Sequence, residues 1–112
     1  MHGFVTGLLA LASAATLAQS PPDTFAAGKV VYQQTCIVCH GANGKGAIPG
    51  VADLTAASGA LSKSDDALLK SIREGFQRPG AALAMPAKGG NPALSDAQLK
   101  AVLAYLRAAF GK

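Results

Sequence analysis

Five consecutive residues, Cys36-Ile37-Val38-Cys39-His40, constrain this chain more than any other feature. Two residues between the cysteines set them about one helical turn apart, and the histidine follows directly. C-x-x-C-H is the arrangement in which two thiols add to the vinyl groups of one haem and the adjacent imidazole meets the iron. Rival readings of the cysteines have less support. With two cysteines in all, a four-cysteine zinc site or iron–sulfur cluster lacks ligands within the chain. A zinc site completed by two histidines would need His2, which falls in a segment read below as a leader. A thioredoxin-like dithiol wants a preceding strand and a βαβ setting, whereas the residues before Cys36 read as helix. A plain disulfide would close a very short loop.

Residues 1–18 read as a secretory signal peptide. Phe4-Val5 and Leu8 to Ala12 form its apolar stretch, and Thr16-Leu17-Ala18 supplies small residues for cleavage before Gln19. Its first residues carry no Lys or Arg, which is unusual for a signal. A membrane anchor is the competing reading, although the stretch is shorter than the roughly 20 residues a span needs. Residues 19–24, with Pro21-Pro22, read as a linker, and 25–112 as one domain. Cleavage leaves about 94 residues, whose own core is modest; a buried porphyrin would enlarge it. All charged residues follow the signal, so the net charge of +4 belongs to the exported part. That balance suits acidic protein partners or peripheral proximity to anionic membranes. No basic run or aromatic platform suggests nucleic acid.

The domain reads as all-α. A first helix is predicted from Thr24 to Thr35, capped by Asp23 or Thr24, with Phe25, Val31 and Tyr32 on its buried side. Gly28 inside it costs about 1 kcal/mol relative to Ala, which suggests close approach of another helix. Residues 41–59 are rich in turn formers and suit a chain wrapping an apolar object. A second helix is predicted from Ser64, its cap, to Glu74, with Gly75 as its stop. Leu68, Leu69 and Ile72 form its apolar stripe. After an irregular stretch over 77–91, Ser95 and Gln98 form a capping box. It opens a last helix carrying Leu99, Val102, Leu103, Leu106 and Phe110 at helical spacing.

A low-spin haem iron needs a sixth ligand. Once the leader is removed, Met85 is the remaining methionine and no histidine other than His40 is left. A soft, neutral thioether favours ferrous iron, so His/Met ligation raises the reduction potential. Pro86 would stiffen the loop holding the sulfur. The alternative is a methionine that fills core space.

These features together resemble the class I c-type cytochromes. Gly28 with Val31-Tyr32 and the C-x-x-C-H motif is similar to that family's first helix and haem motif. Leu103-Ala104-Tyr105-Leu106 is similar to its last helix. The resemblance implies an all-α fold in which the N- and C-terminal helices cross, Gly28 near Tyr105, around one covalently bound haem c. It implies that the carbonyl of Pro49 accepts a hydrogen bond from the proximal histidine, which would fix the ring and tune the iron. The run from Met85 to Asp96 is similar to the cytochrome c5 subgroup, without the cysteines of that subgroup's extra disulfide.

The expected cofactor set is therefore Cys36, Cys39, His40, Met85 and Pro49, with His40 and Met85 on the iron. Ile48, Pro49, Leu54, Leu83 and Pro86 are expected near the metal. Lys45, Arg73, Arg78 and Lys88 are candidates for a basic rim, or else ordinary solvated cations; Arg78 could pair with a haem propionate. The expected role is single-electron transfer by a monomeric, exported periplasmic carrier between membrane-bound or periplasmic redox partners. Its docking would weaken with salt. A haem subunit of a larger dehydrogenase or oxidase has the same chemistry. An open-site haem peroxidase would need Met85 off the iron and a distal acid–base group.

Overall fold

Helix α1 spans Pro21–Val31 and runs without a break through one π-helical turn, Tyr32–Cys36, into the short helix α2, Ile37–His40. These coordinates, a computed structural model, describe residues 21–111 together with Gly3 and Gly7. The predicted signal peptide at 1–18 otherwise lies outside the described residues. Helix α1 begins earlier than expected and takes in residues 21–24, read above as linker. Proline is tolerated in the first turn of a helix, where its missing N–H would have no partner anyway and its fixed φ is already helical. The run also outlasts Thr35, so the C-x-x-C-H motif is itself helical. The π-turn adds a residue to one turn and shifts the phase of every side chain after it. Val31 before it and Tyr32 at its start are buried, while Cys36 at its end and Cys39 and His40 beyond it line a cavity.

Helix α3 spans Asp65–Glu74; the Ser64 hydroxyl accepts a hydrogen bond from the Ala67 amide at 3.2 Å, satisfying one orphan N–H of the first turn. Gly75, at φ +86°, ends it, in a conformation that costs a side chain dearly. Helix α4 spans Asp96–Phe110 and opens on the full capping box: Ser95 accepts from the Gln98 amide, and the Gln98 side chain accepts from the Ser95 amide. The predicted apolar positions of α4 are all buried, with Ala101 and Tyr105 beside them. No helix among the described residues is long and apolar enough to cross a membrane.

Helices α1 and α4 cross at Gly28. A Cβ there would stand 2.1 Å from the Ala101 carbonyl oxygen and 2.8 Å from Tyr105 Cβ. This is the packing reason for a glycine inside a helix. Around the crossing, Phe25, Tyr32, Tyr105 and Phe110 form a chain of rings with centroids 5.2 to 6.0 Å apart, tilted or edge-on as aromatic quadrupoles prefer. Leu54, Ile72, Leu94, Leu99 and Val102 complete the core.

Arg107 ties α4 to the segment before α3. It donates to Asp65 at 2.7 Å and to the carbonyls of Leu61 and Lys63 at 2.8 and 2.7 Å. A second pair, Arg73 with Asp96 at 3.1 Å, joins α3 to the start of α4. Short 3₁₀ turns at Ala60–Ser62 and Ala87–Gly90 punctuate the loops. Among the described residues there is no strand, only one antiparallel bridge between Phe76 and Met85.

Candidate haem site

The motif helix, the 41–59 loop, α3, α4 and the Met85 loop enclose a cavity of about 900 Å³. Cys36, Cys39 and His40 line it from one segment. Leu54, Leu68, Leu99, Val102 and Leu106 give it an apolar floor, and Leu83, Met85 and Pro86 reach it from the far loop. A predominantly apolar cleft of this size, with a few polar groups converging on it, is the usual form of a cofactor site.

Backbone hydrogen bonds hold the motif in place. The Gly46 and Ala47 amides donate to the His40 and Cys39 carbonyls, both at 2.8 Å, so the loop folds back over the helix end. The buried Tyr32 hydroxyl donates to the Gly41 carbonyl, next to His40. The loop also needs Gly44, at φ +74°, because a Cβ there would lie 2.7 Å from the Phe110 ring.

Burial acts on each titratable group of the motif. The Cys36 thiol is pushed up to about 11, by loss of solvation first and by the neighbouring Cys39 second. Cys36 is therefore a neutral thiol at ordinary pH, and no disulfide joins it to Cys39. His40 is lowered from the usual histidine range by burial, with the Ala52 backbone opposing the shift by hydrogen bonding. That keeps the imidazole neutral, the form that ligates a metal. The Ala52 backbone approaches the ring too loosely to form a regular hydrogen bond, and His40 Nδ1 is buried and unsatisfied among the described residues. A buried imidazole facing an apolar cavity, beside two half-buried thiols, is a donor set suited to an iron porphyrin.

Met85 is placed by backbone pairing. Its amide donates to the Phe76 carbonyl at 2.8 Å and its carbonyl accepts from the Phe76 amide at 2.9 Å. The pairing brings Met85 close over Gly75, where a Cβ would lie 2.8 Å from the Met85 carbonyl oxygen. Beyond Met85, Lys88 stands at φ 53°, ψ 29°, an uncommon conformation for a side-chain-bearing residue. Gly89 follows at φ +63°, with room for no more than a hydrogen against Thr35.

The structure therefore brings Cys36, Cys39, His40 and Met85 to one cavity. Pro49 it places elsewhere. That residue is exposed in its turn and outside the cavity lining, and the backbone approaching the imidazole is that of Ala52. Leu54, Leu83 and Pro86 line the cavity as expected near the metal, whereas Ile48 is exposed and does not. Of the basic candidates, Arg78 and Lys88 line the cavity, Lys45 stands away from it and Arg73 is engaged with Asp96. Sequence reasoning missed Lys63, which lines the cavity with its ammonium 4.4 Å from the centre of the Phe76 ring. It also missed Ala52, whose side chain carries no chemistry to notice.

Comparison with known proteins agrees with this site. Residues 23–106 match the family model described as cytochrome c oxidase, cbb3-type, subunit III. The chain is 38% identical over 81 residues to cytochrome c-555 of Chlorobaculum thiosulfatiphilum, covering 72% of this chain and 91% of that protein. It is 37% identical over 81 residues to cytochrome c-555 of Chlorobaculum tepidum, covering 72% of each. With cytochrome c-555 of Prosthecochloris aestuarii it shares 33% over 95 residues, covering 83% of this chain and 95% of that one. Motif, helical fold and relatives agree: the chain belongs to the cytochrome c family as a monohaem class I c-type cytochrome, a haem c electron carrier.

Proposed function

We propose that this cytochrome is an exported, periplasmic single-electron shuttle whose haem is bonded to Cys36 and Cys39 and ligated by His40 and Met85. The observation that carries the reading is that Met85, 45 residues on from His40, lines the same cavity as the attachment motif. When bound, the haem supplies a one-electron ferric–ferrous couple. The chain's residues set how that couple behaves. His40, neutral because it is buried, presents a nitrogen lone pair on the motif side. Met85 presents a soft sulfur that favours ferrous iron. Leu54, Leu68 and Leu99, all buried at the cavity wall, would exclude water and disfavour the extra positive charge of the ferric state, which also raises the potential. Two thioether bonds would retain the group through repeated turnover.

With His40 and Met85 both holding the iron, no coordination site would be left for a substrate, which supports a carrier over an enzyme. Lys63, Arg78 and Lys88 at the cavity and the net charge of +4 suit redox partners with acidic docking faces, membrane-bound or periplasmic. Such docking weakens as ionic strength rises. The test is absorption spectroscopy of protein exported from a host that matures c-type cytochromes. Wild-type ferric protein should show the far-red band of a methionine–iron bond, and Met85→Ala should lose it and turn high-spin. An unchanged low-spin spectrum in that variant excludes Met85. A wild-type protein that binds haem, lacks the band and is high-spin has an open sixth site and belongs with haem peroxidases or ligand binders.

The matched family model supports a second reading, because its description names an oxidase subunit. On that reading the same haem serves one fixed partner. Co-purification from native membranes would favour it; a free monomer by size-exclusion chromatography favours the shuttle.

A further inference from the structure

The geometry points to Arg78 as a positioning residue that latches the loop carrying Met85 to the loop facing His40. Its Nη2 donates to the Gly50 carbonyl at 2.6 Å, a bond between residues 28 apart. The two groups belong to different walls of the cavity. Arg78 lies in the segment between Phe76 and Met85, whose ends are paired through their backbones. Gly50 lies two residues before Ala52, whose backbone approaches the His40 ring. The inference rests on the reading of His40 and Met85 as axial ligands.

A bond is needed here because packing does not hold either tip. Gly50 and Gly80 stand at φ +90° and +78°, and a Cβ built on either would have nothing within 4 Å. The turn has two internal braces, the Ala81 amide to the Arg78 carbonyl and Gln77 Nε2 to the Ala81 carbonyl, both at 3.0 Å, and neither ties it to the other loop. At the base, Lys63 over the Phe76 ring and the Phe76–Met85 pairing hold the loop to the body of the fold. At the tip, the charged guanidinium on a neutral carbonyl is the hydrogen bond that spans to the other loop. Bonds of this charge-assisted kind are stronger than neutral ones. Opening the tip would let the segment swing about its base and carry Met85 away from the iron.

The experiment measures how fast imidazole, a neutral ligand, replaces the methionine on the ferric iron, a step that requires the Met85 loop to open. Arg78→Gln should accelerate it by about fivefold to tenfold, the loss of one charge-assisted bond at a partly solvated site. Amide hydrogen exchange at Phe76 and Met85 should quicken in the same variant. Arg78→Lys, which keeps a cationic donor, should recover part of the wild-type rate. Lys45→Gln, which removes an exposed charge of the 41–59 loop that makes no such bond, should leave the rate unchanged. The acceleration should persist at high salt, since an ion–dipole contact is screened far less than a long-range field. Wild-type rates and exchange in Arg78→Gln would overturn the latch, as would equal acceleration by Lys45→Gln. A change of reduction potential alone would assign Arg78 to a haem propionate instead. If the wild-type ferric protein lacks the methionine band, the ligand reading itself fails, and the latch falls with it.

Discussion

At the scale of single residues, Gly28 and Tyr32 show how little tolerance the site has. Alanine at position 28 would gain helix propensity of about 1 kcal/mol. Its methyl would also sit 2.1 Å from the Ala101 carbonyl, and overpacking of that kind costs about 1–3 kcal/mol or more. The clash is with backbone, which cannot swing aside, so Gly28→Ala should be destabilised in urea unfolding by about 1–2 kcal/mol net. Tyr32 carries a pH-dependent term. Burial first, then the negative forms of Cys36 and Tyr105, push its phenol from 10.0 to about 12; the burial contribution survives when the Cys36 sulfur is bonded to haem. A raised folded value means the native protein holds the proton more tightly than the unfolded chain. The associated stability is complete below pH 10 and is lost as pH rises through 10 to about 12. Tyr32→Phe also gives up the bond to the Gly41 carbonyl. It should be less stable than wild type by about 1 kcal/mol at pH 8, and the gap should narrow above pH 10, as read by unfolding at both pH values.

Among the elements, each helix owes its limits to a cap and its placement to a contact from afar. Ser95 and Gln98 satisfy each other's backbone amides at the start of α4, and α4 supplies much of the core. Ser95→Ala should cost about 1 kcal/mol, visible as a lower urea midpoint with the unfolding slope unchanged. Arg107 differs in kind, because its three bonds satisfy an exposed carboxylate and two carbonyls of the 61–65 segment at once. Arg107→Met keeps the aliphatic stem and removes every donor. Thermal unfolding should then fall, and exchange at the Ser62 to Ala67 amides should rise well before the core opens. The π-turn belongs to this scale too. An ideal α-helix from Pro21 onward would carry the cysteines round to a different face, so the extra residue is what points the motif into the cavity.

For the whole molecule, the cavity decides the folding problem. Without haem, Leu54, Leu68, Leu99, Val102 and Leu106 would form one wall of an open cleft of about 900 Å³, and covering such apolar surface contributes about 25 cal/mol per Å², a large term beside the roughly 5–15 kcal/mol by which a domain is stable. The haem is therefore a part of the core as well as the redox group. A Cys36→Ser, Cys39→Ser double variant that cannot attach haem should lose its cooperative thermal transition while retaining some helical circular dichroism. A sharp transition at the wild-type temperature would show that the protein core suffices alone.

What the sequence determined by itself was local. The motif Cys36 to His40, the caps at Ser64 and Ser95, the stop at Gly75 and the apolar spacing of α4 are legible because helical geometry links residues three or four apart whatever surrounds them. Gly28 was legible as an anomaly, since a glycine inside a helix calls for a neighbour. Which backbone faces His40, how Arg78 reaches Gly50 and where Arg107 spends its donors depend on segments that meet only after folding. Pro49 shows the limit: the family resemblance implied that its carbonyl meets the ring, whereas here Pro49 is exposed and Gly50, Val51 and Ala52 line the cavity. The tertiary structure decided these because a loop's course follows from closing the chain around a cavity, and no short stretch of sequence holds that constraint.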